Sequence, residues 1–221
     1  MYKKALPTTV KNKEQTKRKL IQAVGEIIKI SGYTGLGINK IARRAGVDKQ
    51  LIYRYFGNVN YLIECYVIEN DYWMTFSDKF KGGINPNNDS NIEALITGVL
   101  QNNFKYFHSE VEMQRLILWE ISTSNPLMKG IHNARENMAS EFLELTDPYF
   151  KGSSINFRSI FALLVGGIYY TILHTRYNGG IFCDIDINSE EGKAEINKTI
   201  KQVIGWAFQS SEIEMAKEKI N

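Results

Sequence analysis

Residues 38–56, INKIARRAGVDKQLIYRYF, contain two short amphipathic segments on either side of a glycine. The apolar residues of the first segment are Ile38, Ile41, Ala42 and Ala45. Their three- and four-residue spacing predicts a helix with one buried side. Gly46 comes next, and a glycine in this place often ends a helix in the left-handed conformation. Asp48 has a side chain that can cap a following helix by accepting a hydrogen bond from its first turn.

The second segment predicts a helix that buries one side and presents polar side chains on the other. Its apolar positions are Leu51, Ile52, Tyr55 and Phe56, and the positions left for other contacts are Lys49, Gln50, Tyr53 and Arg54. A helix, a glycine turn and a second helix form the helix-turn-helix pattern, whose second helix lies in the major groove of DNA. A helical hairpin with an accidental glycine is the alternative interpretation.

The run GYTGLGINKIARRAGVDKQLIYRYF closely resembles the N-terminal DNA-binding domain of the TetR family of bacterial transcriptional regulators. The matching features are a first amphipathic helix, the IA-x-x-AGV turn and the ending YRYF, which together cover about a quarter of the chain. The resemblance implies an all-α fold. An N-terminal three-helix helix-turn-helix DNA-binding domain would be followed by a C-terminal helical bundle for ligand binding and dimerisation.

The charge of the chain is unevenly distributed. Residues 1–60 contain 13 Lys or Arg and 3 Asp or Glu, a net charge of +10, whereas the other residues carry a net charge of −7. This asymmetry predicts that the N-terminal part binds a polyanion. A basic face is often only a solvated surface, but here it coincides with the helix-turn-helix, which favours DNA.

The composition, 43% apolar and 23% charged, is that of a soluble globular protein. Residues 1–20 lack the apolar core of a signal peptide. The longest apolar run, residues 160–173, is shorter than the roughly 20 residues that span a bilayer. Cys65 and Cys183 are far apart and have no histidine at metal-ligand spacing. We therefore expect a cytoplasmic protein without membrane contact, and we predict no metal site and no cofactor.

Three regions are predicted along the chain: a flexible basic arm over residues 1–12, the helix-turn-helix domain over 13–57, and an effector-binding and dimerisation domain over 58–221. Apolar periodicity predicts further helices over about 13–31, 58–80, 91–108, 112–122, 126–145, 154–177 and 189–209. Turn residues predict a loop over 82–91. No segment has a convincing strand pattern.

The predicted helix 154–177 is apolar on nearly every side, so it needs packing partners on every side. In the TetR family the last two long helices pair with their copies in a four-helix dimer interface, and the resemblance gives that role to residues 154–177 and 189–209. A dimer would read a palindromic operator in double-stranded DNA, with half-sites about 34–36 Å apart or a multiple of that.

The resemblance places the DNA contacts on both helices of the motif. The candidates are Asn39, Arg43, Arg44, Lys49, Gln50, Tyr53, Arg54 and Tyr55. Tyr53 aligns with a family tyrosine whose hydroxyl meets a backbone phosphate, although it could also be an amphipathic core residue. Gln50 could read adenine and Lys49 guanine, or each could touch only phosphate.

Three positions depart from the family pattern. Gly37 stands where the family usually has a Ser or Thr that caps the first helix of the motif and contacts phosphate. Leu51 replaces a frequent small polar residue, and Val59 replaces a lysine that binds phosphate at the start of the next helix. Loss of that lysine is expected to weaken the non-specific electrostatic attraction to DNA.

The C-terminal region is expected to bind a small apolar or aromatic effector, as in the resembling family. The candidate pocket residues are Trp73, Phe76, Phe104, Phe107, His108, Trp119, Tyr169, Tyr170 and His174. Aromatic residues at helical spacing can equally form plain core. The identity of the ligand stays open.

An enzyme is the competing class of protein. The sequence contains no Gly-rich phosphate loop, no HExxH or CxxC pattern and no nucleophile elbow. We therefore predict a sequence-specific transcriptional regulator, a repressor that a small ligand releases from a palindromic operator. The alternative is a helix-turn-helix protein without a small-molecule effector, controlled by a protein partner.

Overall fold

The computed structural model of the protein describes residues 8–76 and 92–218. Within these ranges the regular structure is helical, no extended strand occurs, and an isolated antiparallel bridge joins Phe182 and Ile185. The helices are α1 Thr8–Ser31, α2 Ile38–Ala45, α3 Gln50–Phe56, α4 Val59–Asn70, α5 (described over 72–76), α6 Ile92–Ser109, α7 Val111–Ser122, α8 Pro126–Leu143, α9 Asp147–Phe150, α10 Phe157–Asn178 and α11 Glu190–Glu218. The predicted all-α fold is confirmed.

The helices form two compact units. Unit 1 comprises Met1–Thr75 and Val111–Arg135, and unit 2 comprises Phe76–Glu110 and Glu136–Asn221. Unit 1 therefore contains α4 and α7 in addition to the three helices of the helix-turn-helix region. The functional division at residue 57 stays a prediction.

Unit 1 is built around α1, which packs against α2, α4 and α7. Leu20, Val24 and Ile28 lie on its buried side and are fully buried. Gly25 allows α4 to approach closely, because a methyl group there would lie 2.5 Å from Cε2 of Tyr66. These contacts fix the position of the helix-turn-helix within the unit.

α7 is attached to the end of α1 by polar and aromatic contacts. Arg115 Nη1 donates a hydrogen bond of 2.9 Å to the carbonyl of Ile28. The rings of Tyr33 and Trp119 stack in parallel, with centroids 5.0 Å apart and planes 2° from parallel. Trp119 is buried by this packing.

The predicted helix 58–80 is interrupted at Asp71. α4 ends at Asn70, and Asp71 has extended backbone, with φ −76° and ψ 134°. The Asp71 carboxylate accepts hydrogen bonds from the backbone N–H groups of Trp73 at 3.0 Å and Met74 at 3.2 Å, so it caps α5. The prediction of one continuous helix is wrong because a local capping side chain starts a new one. The part of that prediction beyond Phe76 lies outside the described residues.

Asp71 also belongs to a buried ionic cluster in unit 1. Nε and Nη2 of Arg135 donate to Oδ2 of Asp71 at 2.9 and 2.7 Å, and Nη1 pairs with the carboxylate of Glu120. Nδ1 of His132 lies 3.4 Å from the other oxygen of Glu120. One guanidinium therefore joins α8 to both α7 and the junction between α4 and α5.

Three other boundaries differ from the predictions. α1 begins at Thr8, so residues 8–12 of the predicted flexible arm are helical, because no glycine or proline interrupts the chain between Thr8 and Val24. The one-turn α9 was not predicted. α11 extends nine residues beyond the predicted end, and Ser211 is buried there, donating a hydrogen bond of 2.7 Å to the carbonyl of Tyr149. The predicted loop 82–91 and residues 1–7 of the arm lie outside the described residues.

Unit 2 packs α6 against α10 and α11. Rings from three helices meet in its core: Phe150, Phe157 and Phe208 have centroids between 4.6 and 5.4 Å apart. Gln101 of α6 donates a hydrogen bond of 2.9 Å to the carbonyl of Asn197 on α11. These contacts leave a large part of α10 uncovered.

α10 matches the predicted helix 154–177 closely and is only partly buried. Only 28% of the most apolar 18-residue stretch of this helix is buried within the chain. Leu163 is 76% exposed. By length and composition alone, this 22-residue helix could cross a membrane. The apolar run 160–173 used in the sequence analysis is shorter and did not predict this. One such helix is weak evidence for a membrane, since core helices of soluble proteins share these properties.

Candidate nucleic-acid interface

The turn between α2 and α3 has the geometry that the sequence predicts. Gly46 adopts the left-handed conformation, with φ 66° and ψ 35°, and its N–H donates to the carbonyl of Arg43 at 3.2 Å. Oδ1 of Asp48 accepts a hydrogen bond of 2.7 Å from the N–H of Gln50, the first residue of α3. The predicted capping role of Asp48 is confirmed. α3 ends at Phe56 and is followed by Gly57. Asn58 caps α4, because its Oδ1 accepts a hydrogen bond of 2.8 Å from the N–H of Tyr61.

α2 and α3 each bury one side and expose the other. Ile41 and Ile52 are fully buried. The exposed side chains are those of Asn39, Lys40, Arg43, Arg44, Lys49, Gln50, Tyr53 and Arg54. We call this set the polar face of α2 and α3. It contains seven of the eight predicted DNA contacts. It also contains Lys40, which was not among the predicted contacts and is four residues before Arg44 on the same side of α2.

Two of the predicted contacts have partners on α1. Nε of Arg44 pairs with the carboxylate of Glu26 on α1. The ring of Tyr55, the one candidate outside the polar face, is half-buried, with Nζ of Lys13 5.8 Å from its centroid. Both residues therefore help to hold α2 and α3 against α1.

The three departures from the family pattern have distinct local structures. Gly37 precedes α2 in an extended conformation, with φ 174°, makes no side-chain cap, and has open space around the position of a Cβ atom. Leu51 is half-buried, so part of its side chain packs rather than faces solvent. Val59 is the first residue of α4 and is also half-buried.

Cys65 of α4 is a half-buried free thiol. Burial raises the pKa of the Cys65 thiol, which keeps it protonated at neutral pH. Cys183 is exposed and unpaired, and no cluster of metal-binding side chains occurs in the described part of the chain.

Sequence comparison identifies the helix-turn-helix region. The profile described as "Bacterial regulatory proteins, tetR family" matches residues 17–64, which include α2, the turn and α3. Residues 17–64 are therefore similar to the DNA-binding region of the TetR family. Its members are DNA-binding transcriptional regulators, so the prediction of a regulator rather than an enzyme is supported. Among curated proteins, none matches the sequence.

Solved structures of TetR-like regulators share the fold over most of the chain. The transcriptional regulator FadR from Bacillus subtilis, in complex with stearoyl-CoA, has a TM-score of 0.63 and 16% identity, covering 85% of this chain and 96% of that one. The fatty acid degradation regulator FadR from Bacillus halodurans gives 0.60 and 19%, covering 91% and 96%. A TetR family regulator from Marinobacter aquaeolei gives 0.61 and 14%, covering 90% and 97%. At these identities the likeness establishes the fold alone.

The predicted effector-pocket residues do not fall in one unit. Trp73 and Trp119 belong to unit 1, and the other seven belong to unit 2. Within unit 2, Phe107 and Tyr169 pack with ring centroids 4.4 Å apart. Tyr170 is 58% exposed. The pocket therefore stays a prediction, and the structure favours ordinary packing for Trp119.

Proposed function

We propose that this chain is a cytoplasmic, homodimeric repressor of the TetR family that binds a palindromic operator and is released by a small apolar or aromatic ligand. The polar face of α2 and α3 carries the DNA-binding part of this proposal. Seven predicted contact residues lie on it, while the opposite sides of both helices are buried in unit 1. The turn geometry matches a helix-turn-helix, whose second helix enters the major groove.

The exposed groups on this face suit two kinds of DNA contact. The guanidinium groups of Arg43 and Arg54 can bind phosphate or guanine, and the amide of Gln50 can pair with adenine. The Tyr53 hydroxyl can donate to a phosphate, because its side chain is 56% exposed. Lys40 joins the proposed phosphate contacts.

Exposed apolar residues on α10 and α11 support the proposed dimer. Leu163, Tyr170 and Tyr177 are seven residues apart on α10, and all three are more than half exposed. On α11, Trp206 and Ile213 are also seven apart and exposed. Repeated exposed apolar side chains along a helix favour an interface, and the seven-residue spacing is that of a helix seam.

A ligand in unit 2 is supported by one buried amide. Asn103 of α6 is 1% exposed, and neither its amide nitrogen nor its amide oxygen has a hydrogen-bond partner among the described residues. An unpaired buried polar group costs about 1–3 kcal/mol, so a polar group on a ligand would stabilise it. FadR from Bacillus subtilis holds stearoyl-CoA, and an acyl chain is a ligand of the apolar class proposed here.

The first experiment is selection of bound sequences from random duplex DNA at two salt concentrations. We expect recovery of a palindrome and a steep loss of affinity as salt rises. If the four cations Lys40, Arg43, Lys49 and Arg54 of each protomer neutralise one phosphate each, the slope of log K against log salt is about −7, from about −0.9 per phosphate. Recovery of no sequence above background would contradict sequence-specific binding by the protein alone and favour control by a protein partner.

Two variants then test the position of the recognition helix. Arg54→Ala should weaken binding and reduce the salt slope by about one per protomer. Tyr53→Phe should weaken binding without changing the slope, because it removes a neutral hydroxyl. Arg158→Ala, which removes an exposed cation from unit 2, is the matched control and should change neither quantity. Unchanged affinity in both Tyr53→Phe and Arg54→Ala, with the dimer intact, would show that α3 does not contact DNA.

A further inference from the structure

Two cationic side chains from different helices of unit 1 lie against one aromatic ring. Nζ of Lys13, on α1, is 5.8 Å from the centroid of the Tyr55 ring. Cζ of Arg54, on α3, is 5.9 Å from the centroid of that ring. Lys13 and Arg54 are exposed, whereas Tyr55 is half-buried. We call these three residues the Tyr55 cluster.

The Tyr55 ring restrains where the two cations can be. Both distances are within the range of about 6 Å over which a cation is attracted to an aromatic ring. Tyr55 is itself held by its partial burial in unit 1. Lys13 is therefore kept beside the last turn of α3, which contains Arg54. A side chain restrained in this way loses less conformational freedom when it binds a partner.

The two positive charges of the Tyr55 cluster are not paired within the described part of the chain. Glu14 follows Lys13 in the sequence, but its Oε1 pairs with Nζ of Lys17 at 3.5 Å. Neither Lys13 nor Arg54 forms an ion pair with any described residue. Two cations that share one ring repel each other, and an anion that binds beside both relieves this repulsion.

Local stability does not require the whole arrangement. Arg54 alone would compensate the dipole at the C-terminal end of α3, and the partial burial of Tyr55 alone would pack α3 against its neighbours. Lys13 adds a second positive charge where one is already present. Its neighbour Arg54 belongs to the polar face of α2 and α3, so Lys13 continues that basic surface onto α1.

We propose that Lys13 is a further DNA contact, which binds the phosphate backbone together with Arg54 and is positioned by the Tyr55 ring. This role of Lys13 rests on the DNA binding proposed above. One strand of DNA presents a phosphate about every 3.4 Å along the helix axis, so neighbouring phosphates are within reach of both cations. Phosphate contacts carry no sequence information, so Lys13 should strengthen binding to any duplex and should not select bases.

The test is the salt dependence of binding to a labelled DNA duplex of arbitrary sequence, measured by fluorescence anisotropy with the full chain. Each phosphate contact contributes about −0.9 to the slope of log K against log salt. Lys13→Gln should therefore make the slope less steep by about 0.9 per protomer. Between about 50 and 200 mM salt, this change corresponds to a fall in affinity that is about 3.5-fold smaller for each protomer.

Lys29→Gln is the matched control, because it makes the same change in net charge at the other end of α1. Lys29 is 60% exposed, and its Nζ pairs with Glu112 at 3.3 Å. It lies roughly 24 Å from Lys13 along a helix that rises about 1.5 Å per residue. This variant should leave the slope unchanged.

Neutral substitutions of Tyr55 test whether the ring positions Lys13. Tyr55→Phe keeps the ring and should keep the slope. Tyr55→Leu removes the ring without changing the net charge, and it should reduce the slope as much as Lys13→Gln does. Adding Lys13→Gln to Tyr55→Leu should then cause no further loss. Circular dichroism shows whether Tyr55→Leu folds, and Lys13→Gln, at an exposed position, tests the phosphate contact in either case.

The outcomes that contradict the proposal are distinct from those that contradict the proposed function. A slope in Lys13→Gln equal to that of the unaltered protein, or an equal change in Lys13→Gln and Lys29→Gln, would overturn the phosphate contact. A slope retained in folded Tyr55→Leu would overturn the positioning role of the ring. Failure of the unaltered protein to bind any duplex would instead refute the proposed DNA binding itself.

Discussion

Removal of the Arg135 guanidinium should destabilise unit 1 more than removal of any exposed cation. The side chains of Arg135, Asp71 and Glu120 are only 10, 6 and 16% exposed. Arg135→Met keeps an unbranched apolar stem but leaves two buried carboxylates without the cation that joins them. The buried carboxylates are then poorly solvated and repel each other, which raises the free energy of the folded state.

The expected cost follows from the burial. Removing one partner of a buried ion pair costs about 3–5 kcal/mol. For a chain of this length this corresponds to a fall in the melting temperature of roughly 6–20 °C. Arg158→Met is the matched control, because Arg158 pairs with Asp147 at 2.9 Å but the two side chains are 42 and 53% exposed. That exposed pair should contribute about 0–1 kcal/mol.

Denaturant unfolding of the two Met variants measures the difference directly. A second step adds Asp71→Asn to Arg135→Met, since Asn caps a helix about as well as Asp but carries no charge. This double variant should recover part of the lost stability, and the thermodynamic cycle gives the coupling energy. The reasoning is refuted if both Met variants unfold at the same denaturant concentration. It also fails if Asp71→Asn gives no recovery, because the cost would then not come from the uncompensated carboxylate.

Three further perturbations test other features. Gly37→Ser should stabilise α2 by a few tenths of a kcal/mol and tighten operator binding in a gel-shift assay. Gly37→Ala, which supplies no hydroxyl, should have neither effect. Equal tightening by both variants would show that a serine cap on α2 is not the cause. Leu163→Arg should convert the dimer to folded monomers in sedimentation experiments. Ile121→Arg, at a residue of α7 that is 71% exposed, is the control and should leave the dimer intact. If both variants remain dimeric, the interface does not include Leu163. The lowered pKa of His108 means that the unfolded state binds more protons, so thermal stability should fall as pH drops through 6.5 towards the folded pKa. His108→Asn should flatten that dependence, and an unchanged pH profile would assign it to other groups.

The helix-turn-helix could be predicted from the sequence because each of its determinants is local. Gly46 takes the left-handed conformation that only a residue without Cβ adopts easily, and it lies next to the helix that it ends. Asp48 and Asn58 cap helices that begin within two residues of them. The polar face of α2 and α3 follows from the same short-range periodicity, so most of its residues were found.

Most of the missed features depend on contacts that are distant in the sequence. The apolar pattern from Ile68 to Trp73 continues through Asp71, so periodicity alone gave no reason to end a helix there. The partner that fixes Asp71, Arg135, lies 64 residues further along the chain. Trp119 was assigned to a pocket because its stacking partner, Tyr33, could not be inferred from spacing. Capping by Asp71 was a local signal that could have been recognised.

With the proposed dimer interface on the exposed apolar side of α10, the amount of protein in the cell would determine how much of it is dimeric. In the proposed dimer, Leu163 and Tyr170 are covered only when a second copy is present, so their burial depends on protomer concentration. In a cell with few copies a larger fraction of the protein would be monomeric, and each monomer has a single helix-turn-helix domain. Repression would then fall more steeply than copy number, since a palindromic operator is bound by two helix-turn-helix domains at once. The level of repression would thus depend on gene dosage through the interface on α10.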